Sequence, residues 1–249
     1  MLARDYLENA QRLLEAIEHT QMDAIQQAAI AISDCIVAGG VLHVFGSGHS
    51  HILADEAHSR AGGLVPVQPI TDPLDGKAER LGGYAVILLD QYDVRPGEVL
   101  IVASNSGINP LPIEMALEAK KRGLMVIAIT SLTHSTPTAS RHSSGQKLYQ
   151  VADVVIDNCG VAGDAAIDVP GSPGRSGATS TVAGVAIVES IVVQVAENLA
   201  NRGIHPPILI SSNVPGGDEH NQEVRSRYRD RLKKTMVVRY APPLTKGVG

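Results

Sequence analysis

The pattern Val-Leu-x-Val occurs twice in this chain, and each time the residues after it are small and polar. The first copy reads VLHVFGSGHS and begins at Val41, and the second reads VLIVASNSG and begins at Val99. Short aliphatic runs that end in Gly or Ser are typical of strands buried on both faces, as in a parallel sheet. A helical pattern follows each copy. The chain is therefore expected to connect parallel strands through helices.

The remaining segments extend this alternation along most of the chain. Aliphatic runs predict further strands, and apolar residues at helical spacing predict helices between them. Together they predict an α/β fold with a mainly parallel sheet. The further strand segments are LVPV, LMVIAIT and DVVID, while GYAVILLDQY fits a strand or a helix and PPILISSN fits a short strand or an extended segment.

The two ends of the chain read as helical additions to this core. Apolar spacing predicts an N-terminal helical pair, with Thr20 and Asp23 as the capping box that starts the second helix. A polar helix is predicted from Asp218 to Lys234, and residues 160–178 read as a long loop. No linker-like composition divides the chain. We expect one domain over residues 1–249, with N-terminal helices at 1–38, an α/β core at 39–213 and a C-terminal helix and tail at 214–249.

Charge and composition argue against several classes of partner. The net charge of −5 does not favour nucleic acid, and the basic run from Arg225 to Lys234 has only Tyr228 as an aromatic neighbour, which indicates a solvated helix face. Two cysteines are too few for a secreted disulfide scaffold. The N-terminus has neither a signal-peptide pattern nor an uncharged apolar run of about 18 residues. We therefore expect a cytoplasmic protein that binds no membrane.

The polar loops after the two repeated strands are candidates for anion binding. In a doubly wound sheet, ligands bind at the carboxyl ends of the strands, where loop N–H groups and helix starts carry partial positive charge. Ser hydroxyls add further donors. The same residues would also suit an ordinary strand-to-helix connection. The candidate binding residues are Ser47, Gly48, His49, Ser50, His51, Ser104, Asn105, Ser106, Gly107 and Asn109.

Two nucleotide motifs are incomplete or missing here. Gly46-Ser47-Gly48 begins like the dinucleotide fingerprint, but His51 stands where its third Gly would be, and no P-loop pattern occurs. The motifs GSGHS and SNSG instead resemble the SIS (sugar isomerase) domain, over roughly residues 1–213. The pattern GSGHSH…RAGGL is similar to a branch related to phosphoheptose isomerase.

This resemblance implies a flavodoxin-like doubly wound sheet, a phosphorylated sugar as ligand, no organic cofactor, and a homodimer or homotetramer. It implies that Ser104, Asn105 and Ser106 hold the phosphate, and that Ser47 and Ser50 contact phosphate or sugar oxygens. The loop commonly ends in Thr in the family, whereas Asn109 stands at that position here. Asn109 could bond an anion through its amide or could cap the next helix.

Aldose–ketose isomerisation needs an acid and a base beside the sugar. The candidates are Glu56 after GSGHS, Glu189 within an aliphatic helix, and His220, which could open the sugar ring and could reach a neighbouring subunit. Each could instead be a surface residue. His49 and His51 form an H-x-H pair with His58 further along; we expect substrate contact or turn capping there, and no metal.

Three functions remain open from the sequence. The first is a sugar-phosphate isomerase, which the resemblance favours. The second is a lyase similar to the N-acetylmuramic acid phosphate etherases, and the third is a sugar-phosphate sensor without turnover. The loops at residues 72–80 and 160–178 are expected to select the sugar.

Overall fold

A five-stranded parallel sheet with the strand order β2-β1-β3-β4-β5 forms the centre of the structure. The structure is a computed structural model that describes residues 1–232. Its strands are β1 (Leu42–Gly46), β2 (Val67–Ile70), β3 (Val99–Ala103), β4 (Met125–Thr130) and β5 (Val154–Asp157), with a separate antiparallel hairpin of β6 (Ala165–Asp168) and β7 (Arg175–Ala178). Its helices are α1 (Leu2–Val37), α2 (Ile52–Ala57), α3 (Tyr84–Leu89), α4 (Pro110–Lys121), α5 (Leu132–Ser135), α6 (Leu148–Val151), α7 (Ser180–Asn201) and α8 (Gly217–Ser226).

Alternate side chains of each strand pack into two separate cores, one on each face of the sheet. Leu42 and Val44 face the layer of α1, α2 and α7. Phe45 faces the opposite layer of α3, α4 and α6. Burial of each such side chain stabilises the fold by about 1.5–3 kcal/mol relative to exposure. The predicted α/β class and flavodoxin-like sheet are confirmed, because the five strands are parallel and helices cover both faces of the sheet.

The predicted N-terminal helical pair is wrong, because α1 is one continuous helix of 36 residues. No Gly or Pro interrupts residues 2–37. The Thr20 hydroxyl donates to the Ala16 carbonyl at 2.7 Å, one turn back within the same helix. This bond satisfies the side chain inside a helix, so Thr20 starts no new one. One long helix and two short ones would show the same apolar spacing, so the spacing alone could not distinguish them.

Two local predictions also differ from the structure. The strand predicted at LVPV begins three residues later, as β2, and the predicted loop at residues 160–178 contains the β6–β7 hairpin. Pairing with other strands, rather than local propensity, decides both.

The structure decides two segments that the sequence left open. GYAVILLDQY contains the helix α3, and PPILISSN is an extended segment with a single antiparallel bridge between Ile208 and Leu64.

The C-terminal helix is shorter than predicted, because α8 ends at Ser226. Lys233, Lys234 and the predicted tail lie outside the described residues. Arg231 is not on a solvated face, since its side chain is only 14% exposed and bonds Glu98. The basic run therefore contributes at least one cation to the interior.

Helix α7 is long and apolar enough to cross a membrane by length and composition alone, and residues 1–232 contain no second such helix. Its buried residues, among them Ile187 and Ile191, belong to the core beneath α1. Packing against α1 and the sheet accounts for its apolar composition.

Candidate functional site

The two repeated loops meet at one edge of the sheet. β1 and β3 are neighbours, and Gly46 at the end of β1 pairs with Ala103 at the end of β3. The chain leaves β1 toward β2 on one side and β3 toward β4 on the other, which makes this edge the topological switch point. A cavity of about 20 Å³ lies there. Its lining residues are His49, Ser50, Leu53, Ala103, Ser104, Asn105, Ile129, Asn158, Ser180 and Thr181.

A tight turn shapes the first loop. A Cβ atom on Gly46 would lie 2.1 Å from the Ser50 carbonyl oxygen, so only glycine allows the chain to return this closely. The Ser50 N–H donates to the Ser47 carbonyl at 3.2 Å. The Nδ1 atom of His51 lies 2.6 Å from the Gly48 carbonyl, which assigns His51 to the turn. The Ser47 hydroxyl is buried and has no partner among the described residues.

The second loop is held by its own side chains and by the strand beside it. Ser104 Oγ accepts a hydrogen bond from the Gly107 N–H at 3.2 Å. Asn105 Oδ1 accepts one from Asn158 Nδ2 at 2.9 Å, next to β5. Ser106 is half-buried. Ser104 and Asn105 therefore make bonds typical of an ordinary connection and also line the cavity, so anion binding by this loop stays a prediction.

The start of helix α4 offers no N–H donors to an anion, contrary to the expectation for this loop. Pro110 and Pro112 carry no N–H, and the N–H of Leu111 donates to the Glu79 carbonyl at 3.1 Å. The first turn of α4 thus has no free N–H group. Any anion bound after β3 would be held by the loop and by side chains.

Asn109 is the first residue before α4, but its side chain makes no cap bond. Its Oδ1 atom accepts a hydrogen bond from Arg141 Nη1 at 2.8 Å. The helix-cap alternative for the Asn109 side chain is therefore wrong. Arg141 belongs to the segment after β4, which sequence reasoning did not connect with this site.

A carboxylate occupies the start of helix α7. Asp164 Oδ1 accepts from the N–H groups of Thr179 at 2.9 Å and Ser180 at 2.7 Å. Asp164 Oδ2 accepts from Ser180 Oγ at 2.8 Å. The backbone of Asp164 is left-handed, with φ 70°. The Ser180 hydroxyl lines the cavity. Because it donates its hydrogen bond to Asp164, its oxygen can only accept a hydrogen bond from a ligand.

The two predicted catalytic glutamates meet at one arginine. Arg60 Nη1 pairs with Glu56 on α2, four residues earlier, and lies 3.5 Å from Glu189 Oε1 on α7. The side chains of Glu56 and Glu189 are 26% and 35% exposed. Glu189 therefore lies in a solvated ion pair and not among aliphatic residues. At 1.5 Å per residue, it stands about 13 Å along α7 from Ser180.

His220 lies apart from this group. Its Nε2 atom is 2.9 Å from the Ile208 carbonyl, so it bonds the segment beside β2. It does not line the cavity. His58 bonds the Val67 carbonyl at 2.9 Å through Nδ1, and burial lowers its pKa. Among residues 1–232, no three His, Cys, Asp or Glu side chains gather into a metal-binding group.

The loop at residues 72–80 packs against the first polar loop. A Cβ atom on Gly76 would lie 2.6 Å from the Cα of Gly48. Asp72 fixes this loop by accepting from the N–H groups of Leu74 and Gly76, both at 2.9 Å. The other segment expected to select the sugar contributes Asp164, which bonds Ser180 at the edge of the cavity. Their role in selecting the sugar stays a prediction.

Sequence reasoning missed Arg141, Asn158, Asp164 and Thr181 at this site. Asn158 follows β5 directly, and its position after a predicted strand was a usable signal. Asp164 lies in a segment without periodicity, and its cap partners are 15 and 16 residues away. Its role required the tertiary fold.

Comparison with known proteins supplies the family. A family model described as SIS domain matches residues 5–131. A UPF0309 protein of Geobacillus thermodenitrificans (strain NG80-2) is 40% identical over 241 residues, covering 91% of this chain and 95% of its own. A UPF0309 protein of Geobacillus kaustophilus (strain HTA426) is 41% identical over 240 residues, covering 93% and 96%.

Solved structures share the fold at low sequence identity. A phosphoheptose isomerase from Francisella tularensis has a TM-score of 0.57 at 19% identity, covering 78% of this chain and 96% of its own. A phosphoheptose isomerase from Neisseria gonorrhoeae has 0.54 at 18%, covering 78% and 97%. The Vibrio vulnificus NanR protein complexed with ManNAc-6P has 0.53 at 14%, covering 92% and 69%.

Proposed function

The chain belongs to the SIS domain family, and from this premise we propose that it is an aldose–ketose isomerase acting on a phosphorylated sugar. The observation that carries the proposal is the convergence of two polar loops, with His49 and Ser50 facing Ser104 and Asn105 across one cavity. Serine hydroxyls and loop N–H groups at a switch point suit a phosphate group.

The proposed binding mode places the phosphate on the loop after β3, at Ser104, Asn105, Ser106 and Gly107. The unpartnered Ser47 hydroxyl is a donor available to the ligand. The sugar hydroxyls are placed toward α7, where Ser180 is an acceptor. A volume of about 20 Å³ holds about one water molecule, so the sugar must move side chains at the mouth of the cavity.

Glu56 is the proposed base. It lies three residues after Leu53, which lines the cavity, so about one helical turn separates it from the ligand. A carboxylate there would remove the proton from the carbon beside the carbonyl, giving an enediol, and would return it to the neighbouring carbon. Arg60, four residues further along, pairs with this carboxylate and so orients it.

Glu189 is the proposed second acid/base group, acting on the sugar oxygens through the same arginine-centred cluster. Its distance from Ser180 makes it the more remote of the two glutamates. His220 has no place in this mechanism within one subunit, and its proposed ring-opening role needs a neighbouring subunit. We propose a homodimer or homotetramer in the cytoplasm, built from one domain per chain.

Structures of similar fold support the substrate class. Those from Francisella tularensis and Neisseria gonorrhoeae are phosphoheptose isomerases, and the Vibrio vulnificus protein is a complex with ManNAc-6P. The shared fold supports a sugar phosphate as ligand here. It leaves the identity of the sugar open.

The test is exchange of the proton on the carbon beside the carbonyl. The protein is incubated in heavy water with a panel of five- to seven-carbon sugar phosphates, and deuterium incorporation is followed by NMR. We expect incorporation with one member, a large loss in Glu56→Gln, and no loss in the matched surface variant Glu15→Gln. Unchanged exchange in Glu56→Gln would overturn the catalytic assignment. Release of lactate from a muramate phosphate would identify an etherase instead.

A sugar-phosphate sensor is the second candidate, and the pairing of Arg60 with both glutamates favours it. With both carboxylates engaged, the site could bind a ligand without turnover. Binding of a panel member without any exchange would identify this function.

A further inference from the structure

The loop after β3 lacks the positive charge that a phosphate dianion needs. The N–H groups of the first turn of α4 are absent or engaged, as described above. The start of α7 is already neutralised by Asp164. Helix α2 has only six residues, too few for a useful dipole. A charged side chain must therefore balance an anion on this loop.

Arg141 is held directly against this loop. Its N–H donates to the Ile108 carbonyl at 2.8 Å, and its Nη1 donates to Asn109 Oδ1 at 2.8 Å. The Leu148 N–H donates to the Gly107 carbonyl at 2.9 Å. The segment from Arg141 to Leu148 is thus fastened along the residues that follow Ser106. This arrangement fixes the guanidinium at Asn109, at the end of the loop that is proposed to hold the phosphate.

The charge of Arg141 is not compensated by the protein. Within residues 1–232, no carboxylate lies within 4.0 Å of its guanidinium, whereas Arg60 is paired with two glutamates. Lys147, in the same segment, donates to the carbonyls of Ser135 and Thr136. Arg141 is exposed, and its other guanidinium N–H groups are free to bind an anion.

Asn109 explains how the arginine is oriented. Its side chain belongs to a residue only 6% exposed, and its Oδ1 atom can only accept hydrogen bonds. It therefore holds one edge of the guanidinium and leaves the remaining N–H groups without a partner among residues 1–232. A planar guanidinium held in this way can make two parallel bonds to phosphate oxygens.

We propose that Arg141 is the residue that selects a phosphorylated ligand, by binding the phosphate together with Ser106. This inference rests on the proposed function, because it needs a ligand at the same site. Arg141 makes the site prefer a dianion over the corresponding neutral sugar.

The test compares binding of inorganic phosphate, ribose 5-phosphate and free ribose by calorimetry. The variants are Arg141→Gln, Arg141→Lys and the matched control Arg12→Gln, which removes an exposed arginine from α1, outside the polar loops and the sugar-selecting segments. Thermal unfolding verifies that each variant is folded. Binding of the charged probes is measured at several salt concentrations.

We expect Arg141→Gln to bind both charged probes about tenfold or more weakly, with a shallower dependence on salt, and to bind ribose as the wild type does. Arg141→Lys retains the salt dependence and part of the affinity. Arg12→Gln matches the wild type. Equal binding of phosphate by wild type and Arg141→Gln, or an equal loss of binding in Arg12→Gln and Arg141→Gln, overturns the inference. If the wild type binds neither charged probe while remaining folded, the proposed function fails and the inference fails with it.

Discussion

The guanidinium of Arg231 lies 2.6 Å from the carboxylate of Glu98, although the two residues are 133 positions apart in the chain. The other carboxylate oxygen of Glu98 lies 2.9 Å from His43 Nε2 on β1. Backbone N–H groups of Val41 and Arg95 also donate to Glu98. This buried cluster stands at the amino ends of β1 and β3, opposite the candidate site. It ties the end of the described chain to the centre of the sheet.

Replacement of Arg231 by Ala should destabilise the fold strongly. The side chain of Glu98 is only 3% exposed, and a buried carboxylate without its cation costs about 3–5 kcal/mol. We expect a loss of about 3 kcal/mol in the free energy of unfolding in urea. Arg229→Ala, an exposed neighbour, should change it by about 0.5 kcal/mol or less. Equal urea midpoints for Arg231→Ala and the wild type would contradict this role.

On acidification, Arg231→Ala should unfold at a higher pH than the wild type does. Burial opposes ionisation of Glu98, but hydrogen bonds from His43, Arg231 and Arg95 hold its pKa below the ordinary 4.5. Its contribution is therefore present above pH 4.5 and lost as the pH falls through the lowered pKa. Without Arg231 the folded-state pKa of Glu98 rises. The acid-unfolding midpoint, followed by circular dichroism, should shift upward in Arg231→Ala.

His58 should make stability depend on pH in a milder range. Burial lowers its pKa below 6.5, the hydrogen bond to Val67 opposes this, Arg225 lowers it further and Asp55 raises it. The unfolded chain then binds more protons, so stability present above pH 6.5 is lost as the pH falls through the folded-state pKa. The free energy of unfolding in urea should be lower at about pH 5.5 than at about pH 7.5 in the wild type, and we expect this difference to be smaller in His58→Gln. His19→Gln, on the exposed face of α1, should leave it unchanged.

Removal of the Asp164 carboxylate should weaken the start of α7. Asp164→Ala leaves the Thr179 and Ser180 N–H groups without their acceptor and should cost about 1–2 kcal/mol in unfolding free energy. Asp164→Asn keeps an acceptor and tolerates the left-handed backbone, so its cost should be smaller. Asp168→Ala, in an exposed ion pair, is the control and should be near neutral. An Asn variant as unstable as the Ala variant would show that charge, and not the cap bond, matters.

A methyl group at Gly46 should disrupt the first polar loop. It would overlap the Ser50 carbonyl, and backbone atoms must then move. We expect Gly46→Ala to lose about 2 kcal/mol or more of stability, together with ligand binding. Gly174→Ala, where nothing lies within 4 Å, should behave as the wild type. Ligand binding by Gly46→Ala as tight as that of the wild type would contradict the close approach of the Ser50 carbonyl to Gly46.

The strands of the core were predictable because they are short and mostly apolar. β1, β3, β4 and β5 have four to six residues and each is followed by polar residues, and β3 is buried throughout. The periodicity of α1 was also predictable, but not its continuity. Thr20 favours a helix start in general, and only its bond to Ala16 shows that it serves inside one.

The position of the two polar loops was predictable from the sequence, but the pairing of most charged side chains around them was not. Both polar loops were identified because each follows a strand that ends at the same edge of the sheet. Glu56 and Arg60 are four residues apart, so their pairing could be inferred from helix geometry. The approach of Glu189, and that of Arg141 to Asn109, depends on segments that local sequence does not relate. Charge balance at this site is a property of the tertiary fold.

The Arg231–Glu98 contact has a consequence for synthesis of the chain. Glu98 leaves the ribosome long before Arg231, and until then the sheet would have to enclose a carboxylate with no cation beside it. The amino-terminal edge of the sheet, at β1 and β3, can therefore reach its final charge balance only after residue 231 has emerged. A polypeptide cut short before residue 231 would keep a buried carboxylate without its arginine, and its sheet would be less stable.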